Sequence, residues 1–381
     1  MSNNKLRWDS YLFFKNAIEI KEFWRNHFTP QRKTLFIMGK GFDIRMNHGI
    51  KCISQENKSV IDLILIEFDE GKDSTSHEYE KYVKKNIEEL NKLTNINIDT
   101  RRVTIWKGSG RKRRRIGDRE AADKVIKTND EIKEYSDIIL DISALPRGLY
   151  FSLIGKILLL IDNNKKDVQR NFFIITSENA KIDEMTQEVV PEEDLNYAHG
   201  FGGGLELTSE NPIIWFPILG ENKRHQLIKA NQKINPREIC PLLPFPSKDP
   251  RRSDQLIIEY HQLLFDELRI EGQNILYVPE QNPFEVYIKL CKAIMNYDES
   301  LKVLNGCKAV ITTFSSKLLS IGALLAAYEF TYNNESNKIG VGLLNVDSHG
   351  YRIVNEELLT SLENQSELFL TWLTGEPFNI S

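Results

Sequence analysis

Cysteine is scarce in this sequence, and the few cysteines present are widely separated. Only four occur, Cys52, Cys240, Cys291 and Cys307, and no two of them form a C-x-x-C pair. Structural zinc sites and dithiol redox motifs need closely spaced cysteines, so this spacing argues against both. Buried free thiols in a reducing cytosol are the expected state.

Long apolar runs and a strong charge of one sign are also lacking. The longest apolar run, Leu149 to Ile161, is interrupted by Lys156 and falls short of the roughly 20 residues that a membrane helix needs. Residues 1–8 are polar and lack the apolar core of a secretory signal. The net charge of −4 argues against a surface built throughout for nucleic acid. We therefore expect a cytoplasmic protein with no membrane partner.

Familiar catalytic and metal-binding signatures are missing as well. The seven histidines show neither H-x-x-x-H nor H-E-x-x-H spacing, and the chain has no G-x-S-x-G nucleophile turn. These gaps disfavour a metal hydrolase and an α/β-hydrolase. No metal site is predicted, and no cofactor can be named from a motif.

What the sequence does contain is a regular alternation of apolar strands and helical segments. Its 381 residues exceed a typical single domain of roughly 100–200 residues. Strands buried on both faces and separated by helices predict an α/β protein with two Rossmann-like domains, whose mostly parallel sheets are flanked by helices. We expect an N-terminal domain at residues 1–190 and a C-terminal domain at residues 212–381. Acidic residues and three consecutive glycines predict a linker or mobile loop at residues 191–211.

The predicted elements follow from apolar periodicity and turn residues. The predicted strands are Thr34–Met38, Asp62–Phe68, Arg102–Trp106, Asp137–Ile142, Asn171–Thr176, Pro212–Leu219, Ile239–Leu243, Asn274–Val278, Ala309–Thr313 and Ile339–Leu344. The predicted helices are Tyr11–Phe28, Glu78–Leu93, Asp123–Tyr135, Leu149–Ile161, Ser253–Leu268, Pro283–Tyr297 and Lys317–Phe330.

The first predicted strand runs into a polar turn that contains Gly39, Lys40, Gly41, Asp43 and Arg45. In a parallel sheet, ligands collect at the carboxyl ends of strands, where helix N-termini point N–H groups at anions. The turn offers flexibility, two cations and a carboxylate, yet it matches neither the G-x-G-x-x-G fingerprint nor the P-loop. It is either a ligand-binding turn or a plain tight turn between strand and helix.

The second predicted strand ends in carboxylates, among them Glu67 and Asp69. An acid at this position can accept hydrogen bonds from ribose hydroxyls, as it does in nucleotide-binding folds. Acidic residues also simply solvate strand ends, so both interpretations stay open.

A more specific turn joins the buried strand before Asp141 to the apolar helix after Arg147. An aspartate that ends a buried strand is costly unless it is paired or meets a ligand. Ser143 is a candidate cap for the following helix, and Arg147 a candidate phosphate ligand. We predict Asp141 and Arg147 as catalytic candidates and Ser143 as a ligand contact; the alternative is an Asp141–Arg147 ion pair that only fixes the loop.

Five consecutive cations, Arg111, Lys112, Arg113, Arg114 and Arg115, form the strongest local charge. Like charges in such a run repel one another and stay solvated, so the run predicts a local contact with nucleic-acid phosphates or an exposed loop. No aromatic residue interrupts the run itself, which argues against a stacking platform for single strands.

The second half carries a comparable strand-to-helix turn at Ser315, Ser316 and Lys317. Hydroxyls and an amine at a helix N-terminus suit an anion, although serine is also a common helix cap. With Gly322 and the alanines Ala326-Ala327, this segment resembles the Rossmann-like CARF sensor domains of bacterial defence. The resemblance covers the C-terminal part of the chain and implies binding of a cyclic oligonucleotide at this turn. Such sensors commonly carry a separate nuclease or regulatory domain, and no nuclease signature is recognisable in this sequence.

Three functional hypotheses follow from these turns. The first is a protein that binds a nucleotide or oligonucleotide signal, in bacterial antiphage defence, and transmits the signal to a partner protein. The second is an enzyme acting on NAD, ATP or S-adenosylmethionine. The third is a nucleic-acid-associated interaction protein that uses the Arg111 to Arg115 run.

Overall fold

The chain is organised as two compact units. The computed structural model describes residues 5–57, 59–69, 71, 74–108, 114–164, 169–188, 195–206, 210–333, 339–346, 351–362 and 365–378. One unit, the N/C unit, comprises residues 11–190 and 348–381; the other, the central unit, comprises residues 1–10 and 191–347.

This division differs from the predicted boundaries at both chain ends. Residues 367–374 pair with residues 171–178, so the last strand belongs to the N/C unit. Trp8 packs edge-on against Tyr287, with ring centroids 5.2 Å apart, so the first residues belong to the central unit. Part of the predicted linker is also ordered structure, because residues 196–197 pair with a strand of the central sheet.

After residues 1–10, which belong to the central unit, the chain forms most of the N/C unit, then the rest of the central unit, and finally returns to the N/C unit. The elements of the first passage are β1 (Leu12–Lys15), α1 (Ala17–His27), β2 (Thr34–Lys40), α2 (His48–Glu56), β3 (Ile61–Asp69), α3 (Glu80–Leu90), β4 (Ile96–Thr104), β5 (Trp106–Lys107), β6 (Arg114–Arg115), α4 (Gly117–Lys124), β7 (Asp137–Asp141), α5 (Arg147–Asn163), β8 (Asn171–Glu178), α6 (Ala180–Met185) and β9 (Thr186–Glu188). The central unit contains β10 (Asn196–Tyr197), β11 (Ile213–Ile218), α7 (Arg224–Ile234), β12 (Glu238–Ile239), β13 (Leu242–Pro244), α8 (Arg252–His261), β14 (Leu276–Val278), α9 (Pro283–Ser300), β15 (Lys308–Thr313), α10 (Lys317–Tyr328) and β16 (Gly340–Asn345). The return adds β17 (Tyr351–Ile353), α11 (Glu356–Ser361) and β18 (Glu367–Thr374).

The N/C sheet has the strand order β1-β18-β8-β7-β2-β3-β4. Strands β4, β3, β2, β7 and β8 are parallel. Counted along the chain, they stand in the order 3-2-1-4-5 of a Rossmann half, whose ligand crevice lies where the order reverses. That switch point falls between β2 and β7, where Met38 pairs with Asp141. Antiparallel β18 and β1 complete the other edge of the sheet.

The central sheet repeats this topology. Its order is β10-β16-β15-β11-β13-β14, with β12 also pairing with β11. The parallel strands β14, β13, β11, β15 and β16 again stand in the order 3-2-1-4-5, with the switch point between β11 and β15. The predicted α/β class with mostly parallel sheets is confirmed. No helix among the described residues is both long and apolar enough to cross a membrane.

Some predicted elements were wrong, and the causes are local. The helix predicted over residues 11–28 is β1 followed by α1, because Asn16 adopts a φ of 61° and caps α1 with its side chain. The helix predicted over residues 123–135 is instead α4, which ends at Lys124, and a short 3₁₀ turn. The strand predicted at residues 102–106 is β4, which begins at Ile96 and is mostly exposed, so its sequence lacks the apolar run of a buried strand.

Candidate ligand-binding site

The turn after β2 is closed by contacts within the N/C unit. A Cβ on Gly39 would lie 2.6 Å from Leu145 Cδ2, so glycine lets this turn pack directly on the turn after β7. The Gly41 carbonyl accepts a hydrogen bond from Asn86 Nδ2 at 3.0 Å. Lys40 Nζ lies 2.6 Å from Glu67 Oε1. The structure therefore brings the predicted turn residues to the switch point, where they contact one another and neighbouring elements.

Arg45 is the most buried charge of this turn, with 5% of its side chain exposed. Its Nη2 donates to Asp43 Oδ2 at 2.8 Å and its Nη1 lies 2.9 Å from Asp183 Oδ1. Burial opposes the charge on Arg45, and the attraction of Asp183 and Asp43 outweighs burial, so its pKa is raised above its usual value. The guanidinium is thus a permanent cation that links the β2 turn to α6.

Glu67 and Asp69 also have partners on their own unit. Glu67 accepts from Lys40 and, at 3.0 Å, from Arg102 Nε, and the Lys40 hydrogen bond is the main cause that lowers its pKa. Asp69 is exposed and its Oδ1 accepts the Gly71 N–H at 2.8 Å, as a turn-closing aspartate does. Their predicted contact with ribose stays a prediction.

Asp141 and Ser143 lie inside the protein. Asp141 is 1% exposed and its Oδ1 accepts the Ser143 N–H at 2.8 Å. A Cβ on Gly49 would lie 2.3 Å from Asp141 Oδ2, so glycine in the first turn of α2 makes room for the carboxylate. Ser143 Oγ accepts the Ser177 N–H at 2.9 Å and does not cap α5, whose cap position is Pro146. Arg147 is the half-buried first residue of α5. The predicted catalytic roles of Asp141 and Arg147 stay a prediction.

His48, which the sequence did not single out, extends this network. Its Nδ1 lies 2.8 Å from Ser177 Oγ, at the carboxyl end of β8. Desolvation by burial is the main cause that lowers its pKa, so the ring is neutral at neutral pH.

A separate apolar cluster covers the carboxyl edge of the N/C sheet. Its members come from the loops after β2, β3 and β8 and from the returning residues 351–362. They are Ile44, Tyr79, Ile182, Met185, Ile353, Leu359 and Leu362. The Tyr79 hydroxyl accepts the Ile353 N–H at 2.9 Å, which ties the returning segment to the cluster. The chain's own side chains therefore occupy much of this edge.

The basic run lies only partly in the described chain. Arg111, Lys112 and Arg113 fall outside the described residues, whereas Arg114 and Arg115 form β6. In the β5–β6 hairpin, Trp106 pairs with Arg115 and Lys107 pairs with Arg114. The Arg115 guanidinium carbon lies 5.8 Å from the centroid of the Trp106 ring. Pairing thus places next to the cations an aromatic ring that the run itself lacks.

In the central unit, the two switch-point turns touch. A Cβ on Gly220, two residues after β11, would lie 2.2 Å from the Phe314 carbonyl oxygen after β15. Because that contact is with backbone, only glycine permits this approach. The Tyr260 hydroxyl donates to the Gly220 carbonyl at 2.6 Å and accepts the Lys223 N–H at 2.8 Å. The turn after β11 therefore packs against the turn after β15 and is hydrogen-bonded to Tyr260 of α8.

Arg252, the first residue of α8, connects the loops of this edge. Its Nε and Nη2 donate to the two carboxylate oxygens of Glu221 at 2.6 and 2.8 Å, and its Nη1 donates to Glu280. Its Nη2 also reaches Ser315 Oγ at 3.3 Å. These partners follow β11, β14 and β15, while Arg252 itself follows β13. We name Glu221, Arg252, Glu280 and Ser315 the strand-end cluster.

The electrostatics of the strand-end cluster favour the ionised form of Glu221. Burial opposes ionisation of Glu221, and the hydrogen bonds and charge of Arg252 outweigh it, so its pKa lies below the usual value. Side-chain exposure is 16% for Arg252, 13% for Glu280 and 46% for Glu221. The cluster is thus partly open to solvent on the Glu221 side. A ligand can reach it there.

The predicted residues Ser316 and Lys317 border this cluster. Ser316 caps α10, with its Oγ accepting the Leu319 N–H at 3.4 Å, and Lys317 is the half-buried first residue of that helix. The N-terminus of α10 therefore points its N–H groups to the carboxyl edge beside Ser315. Sequence reasoning found this turn but missed Glu221 and Arg252. The signals were a Gly-Glu pair directly after a strand and an Arg-Arg pair opening a helix.

The arrangement combines a guanidinium, carboxylates, hydroxyls and a helix N-terminus. Arginine binds phosphate in a bidentate manner, and carboxylates accept hydrogen bonds from sugar hydroxyls. In the part of the chain that the structure describes, no cluster of three or more histidine, cysteine, aspartate or glutamate side chains could hold a metal ion. The strand-end cluster thus combines one guanidinium and two carboxylates beside the N-terminus of α10.

Comparisons with known proteins give no closer identification. No protein-family model matches the chain, and a search of curated proteins found no match. Three solved structures are similar at low level. A putative universal stress protein from Pseudomonas aeruginosa UCBPP-PA14 has 9% identity and a TM-score of 0.23, with 88% of this chain and 97% of that chain covered. The cytoplasmic domain of a prokaryotic cation chloride cotransporter has 9% identity and a TM-score of 0.22, with 87% and 100% covered. Geranyl diphosphate methyltransferase has 7% identity and a TM-score of 0.23, with 93% and 76% covered. At these scores the similarities carry no argument about function.

Proposed function

We propose that the central unit binds a nucleotide or oligonucleotide signal at its strand-end cluster and transmits its presence to a partner protein. The observation that carries this proposal is Arg252, which follows β13 and joins Glu221, Glu280 and Ser315 from the segments after β11, β14 and β15. Antiphage defence, which the CARF-like resemblance implies, is the biological setting of the proposal.

The location of the cluster supports a ligand rather than a purely structural role. It lies at the switch point between β11 and β15, where crevices of doubly wound sheets hold nucleotides. Glu221 is exposed enough to exchange one Arg252 hydrogen bond for a ligand hydroxyl. The N-terminus of α10 and Lys317 supply positive potential for phosphate. By contrast, the equivalent edge of the N/C sheet is covered by an apolar cluster.

Isothermal titration of the whole protein against mononucleotides and cyclic oligonucleotides tests the proposal. We expect a saturable signal from the wild type. Replacing Arg252→Gln should weaken binding about 10- to 150-fold, because it removes charged hydrogen bonds worth about 1.5–3 kcal/mol. Arg237→Gln is the matched control, because Arg237 is exposed and lies before β12, at the amino end of the same sheet. Absence of heat throughout the panel, or equal affinities for both variants, would reject the proposal.

A second candidate function is binding of single-stranded nucleic acid at the β5–β6 hairpin. The specific observation is that Arg115 lies over Trp106 and Arg114 pairs with Lys107 across the hairpin. Cations beside an aromatic ring suit phosphates and an unstacked base.

Fluorescence anisotropy with a labelled single strand, repeated over a salt series, tests this candidate. Affinity should fall steeply with salt, and Arg114→Ala should reduce the slope by about 0.7, the value for one lost phosphate contact on a single strand. Arg119→Ala is the matched control, because Arg119 lies on the neighbouring helix α4 with its side chain 74% exposed. Binding that does not respond to salt would exclude this candidate.

A further inference from the structure

Two large aromatic side chains are exposed beside the strand-end cluster. Phe245 follows β13 and is 49% exposed, and Tyr277 in the edge strand β14 is 42% exposed. Their ring centroids are 6.1 Å apart with planes at 78°. In this edge-to-face geometry, the ring that contributes its edge keeps both of its faces uncovered by the other ring. We name Phe245 and Tyr277 the aromatic pair.

The aromatic pair and the strand-end cluster share the same loops. The Phe245 N–H donates to the Val278 carbonyl at 2.7 Å, and the Glu280 N–H donates to the Pro246 carbonyl at 3.0 Å. Glu280 in turn accepts from Arg252 and from the Lys248 N–H. Hydrogen bonds therefore connect the backbone that carries the aromatic pair to Glu280, whose carboxylate binds Arg252.

Two lysines lie near the aromatic pair. Lys289 Nζ donates to the Tyr277 carbonyl at 2.8 Å, and Lys248 lies three residues after Phe245 on the same loop. The carboxylate nearest in the hydrogen-bond chain, Glu280, shares the Arg252 guanidinium with Glu221. Exposed rings among cations complement a ligand that is both planar and anionic. A purely apolar partner would gain nothing from these cations.

We infer that the aromatic pair stacks the base of a nucleotide whose phosphates lie against Arg252 and the N-terminus of α10. This inference rests on the proposed function and names its substrate class: a nucleotide with an accessible base, rather than a bare phosphate or a sugar phosphate. Stacking is tolerant of base identity, because every base has a π face. The site therefore discriminates nucleotides from phosphates that lack a base, with little preference among the bases.

The test compares ATP with inorganic tripolyphosphate on the whole protein by isothermal titration. Base stacking on an aromatic residue contributes a factor of about 5- to 150-fold. We expect ATP to bind more tightly than tripolyphosphate by a factor in that range. Phe245→Ala and Tyr277→Ala should each weaken ATP binding and leave tripolyphosphate unchanged, while Tyr277→Phe should retain wild-type affinity.

Ile258→Ala is the matched control, because Ile258 is 75% exposed on α8 of the same unit. Photo-crosslinking with 8-azido-ATP, followed by peptide mapping, provides a readout independent of affinity. Label on the peptides that contain Phe245 or Tyr277 is expected.

The outcomes separate the inference from the proposed function. Tripolyphosphate binding that depends on Arg252 but equals ATP binding would overturn the base site and leave an anion site. If neither ATP nor tripolyphosphate binds, the base-stacking inference and the proposed function are both overturned for this class of ligand. Altered sedimentation of Tyr277→Ala with unchanged ATP affinity would make the aromatic pair a self-association surface and overturn the inference.

Discussion

Replacement of Arg45 by alanine tests whether the predicted turn after β2 holds the fold together or holds a ligand. Arg45 is 5% exposed, and its side chain donates to the Asp43 carboxylate at 2.9 and 3.3 Å from Nε and at 2.8 Å from Nη2. It also contacts Asp183 Oδ1 at 2.9 Å, and Asp183 is 51% exposed. Arg45→Ala therefore removes the guanidinium from a mostly buried Asp43 carboxylate. Of the hydrogen bonds that residue 45 donates to this carboxylate, only the one from the backbone N–H remains.

Breaking a buried pair from one side costs about 3–5 kcal/mol. The Asp43 side chain is 19% exposed, so the lower end of that range, about 3 kcal/mol, applies. With an m-value of about 2 kcal/mol/M in urea, the unfolding midpoint of the N/C unit should fall by about 1.5 M. Arg25→Ala is the matched control, because Arg25 bonds Glu56 in the same unit but is 68% exposed, so solvent screens this pair and the midpoint should move much less.

Urea titration read by hydrogen exchange of peptides from α2 follows the N/C unit without assuming that the two units unfold together. A midpoint for Arg45→Ala equal to that of Arg25→Ala would refute the structural role of this turn. Nucleotide-dependent stabilisation that disappears in Arg45→Ala would refute it as well, and would place a ligand at the N/C switch point.

Three further predictions follow from single contacts. Gly220→Ala puts a methyl against the Phe314 carbonyl, 2.2 Å away, and should lower stability by about 1–3 kcal/mol in thermal unfolding, together with weaker nucleotide binding. The lowered pKa of His48 means that the unfolded chain binds the proton first as pH falls, so wild-type stability should decline below about pH 6.5, and His48→Gln should flatten that part of a pH–stability curve. The Glu67 pKa is lowered, first of all by the hydrogen bond from Lys40. Ionised Glu67 therefore stabilises the fold above the unfolded pKa of about 4.3, and this stabilisation is lost as the pH falls through the lower pKa of the folded state. In acid unfolding followed by circular dichroism, Glu67→Gln should lose less stability than the wild type.

Much of the fold could be predicted from the sequence, because buried parallel strands are continuous apolar runs. β2, β3, β7, β8, β11 and β15 were each recognised to within a few residues for this reason. β1, β18, α2 and α7 were not predicted. β1 and β18 are held by antiparallel pairing between chain segments that lie far apart in sequence. Local patterns carry no information about such pairing, and the same pairing decides that the last residues belong to the N/C unit.

The candidate site was predictable only as a position. Polar turns at strand ends, Gly39–Arg45 in the first half and Ser315–Lys317 in the second, located both switch points, since parallel topology brings these loops together whatever their sequence. Which polar groups satisfy one another was decided by tertiary structure: Arg252 meets Glu221, 31 residues away, and Glu280, 28 residues away. The sequence by itself determined the α/β class, most parallel strands and the turns at their ends. Only the folded chain decided that the N/C edge is covered by its own side chains while the central edge presents a charged cluster, because pairing and burial depend on contacts between distant loops.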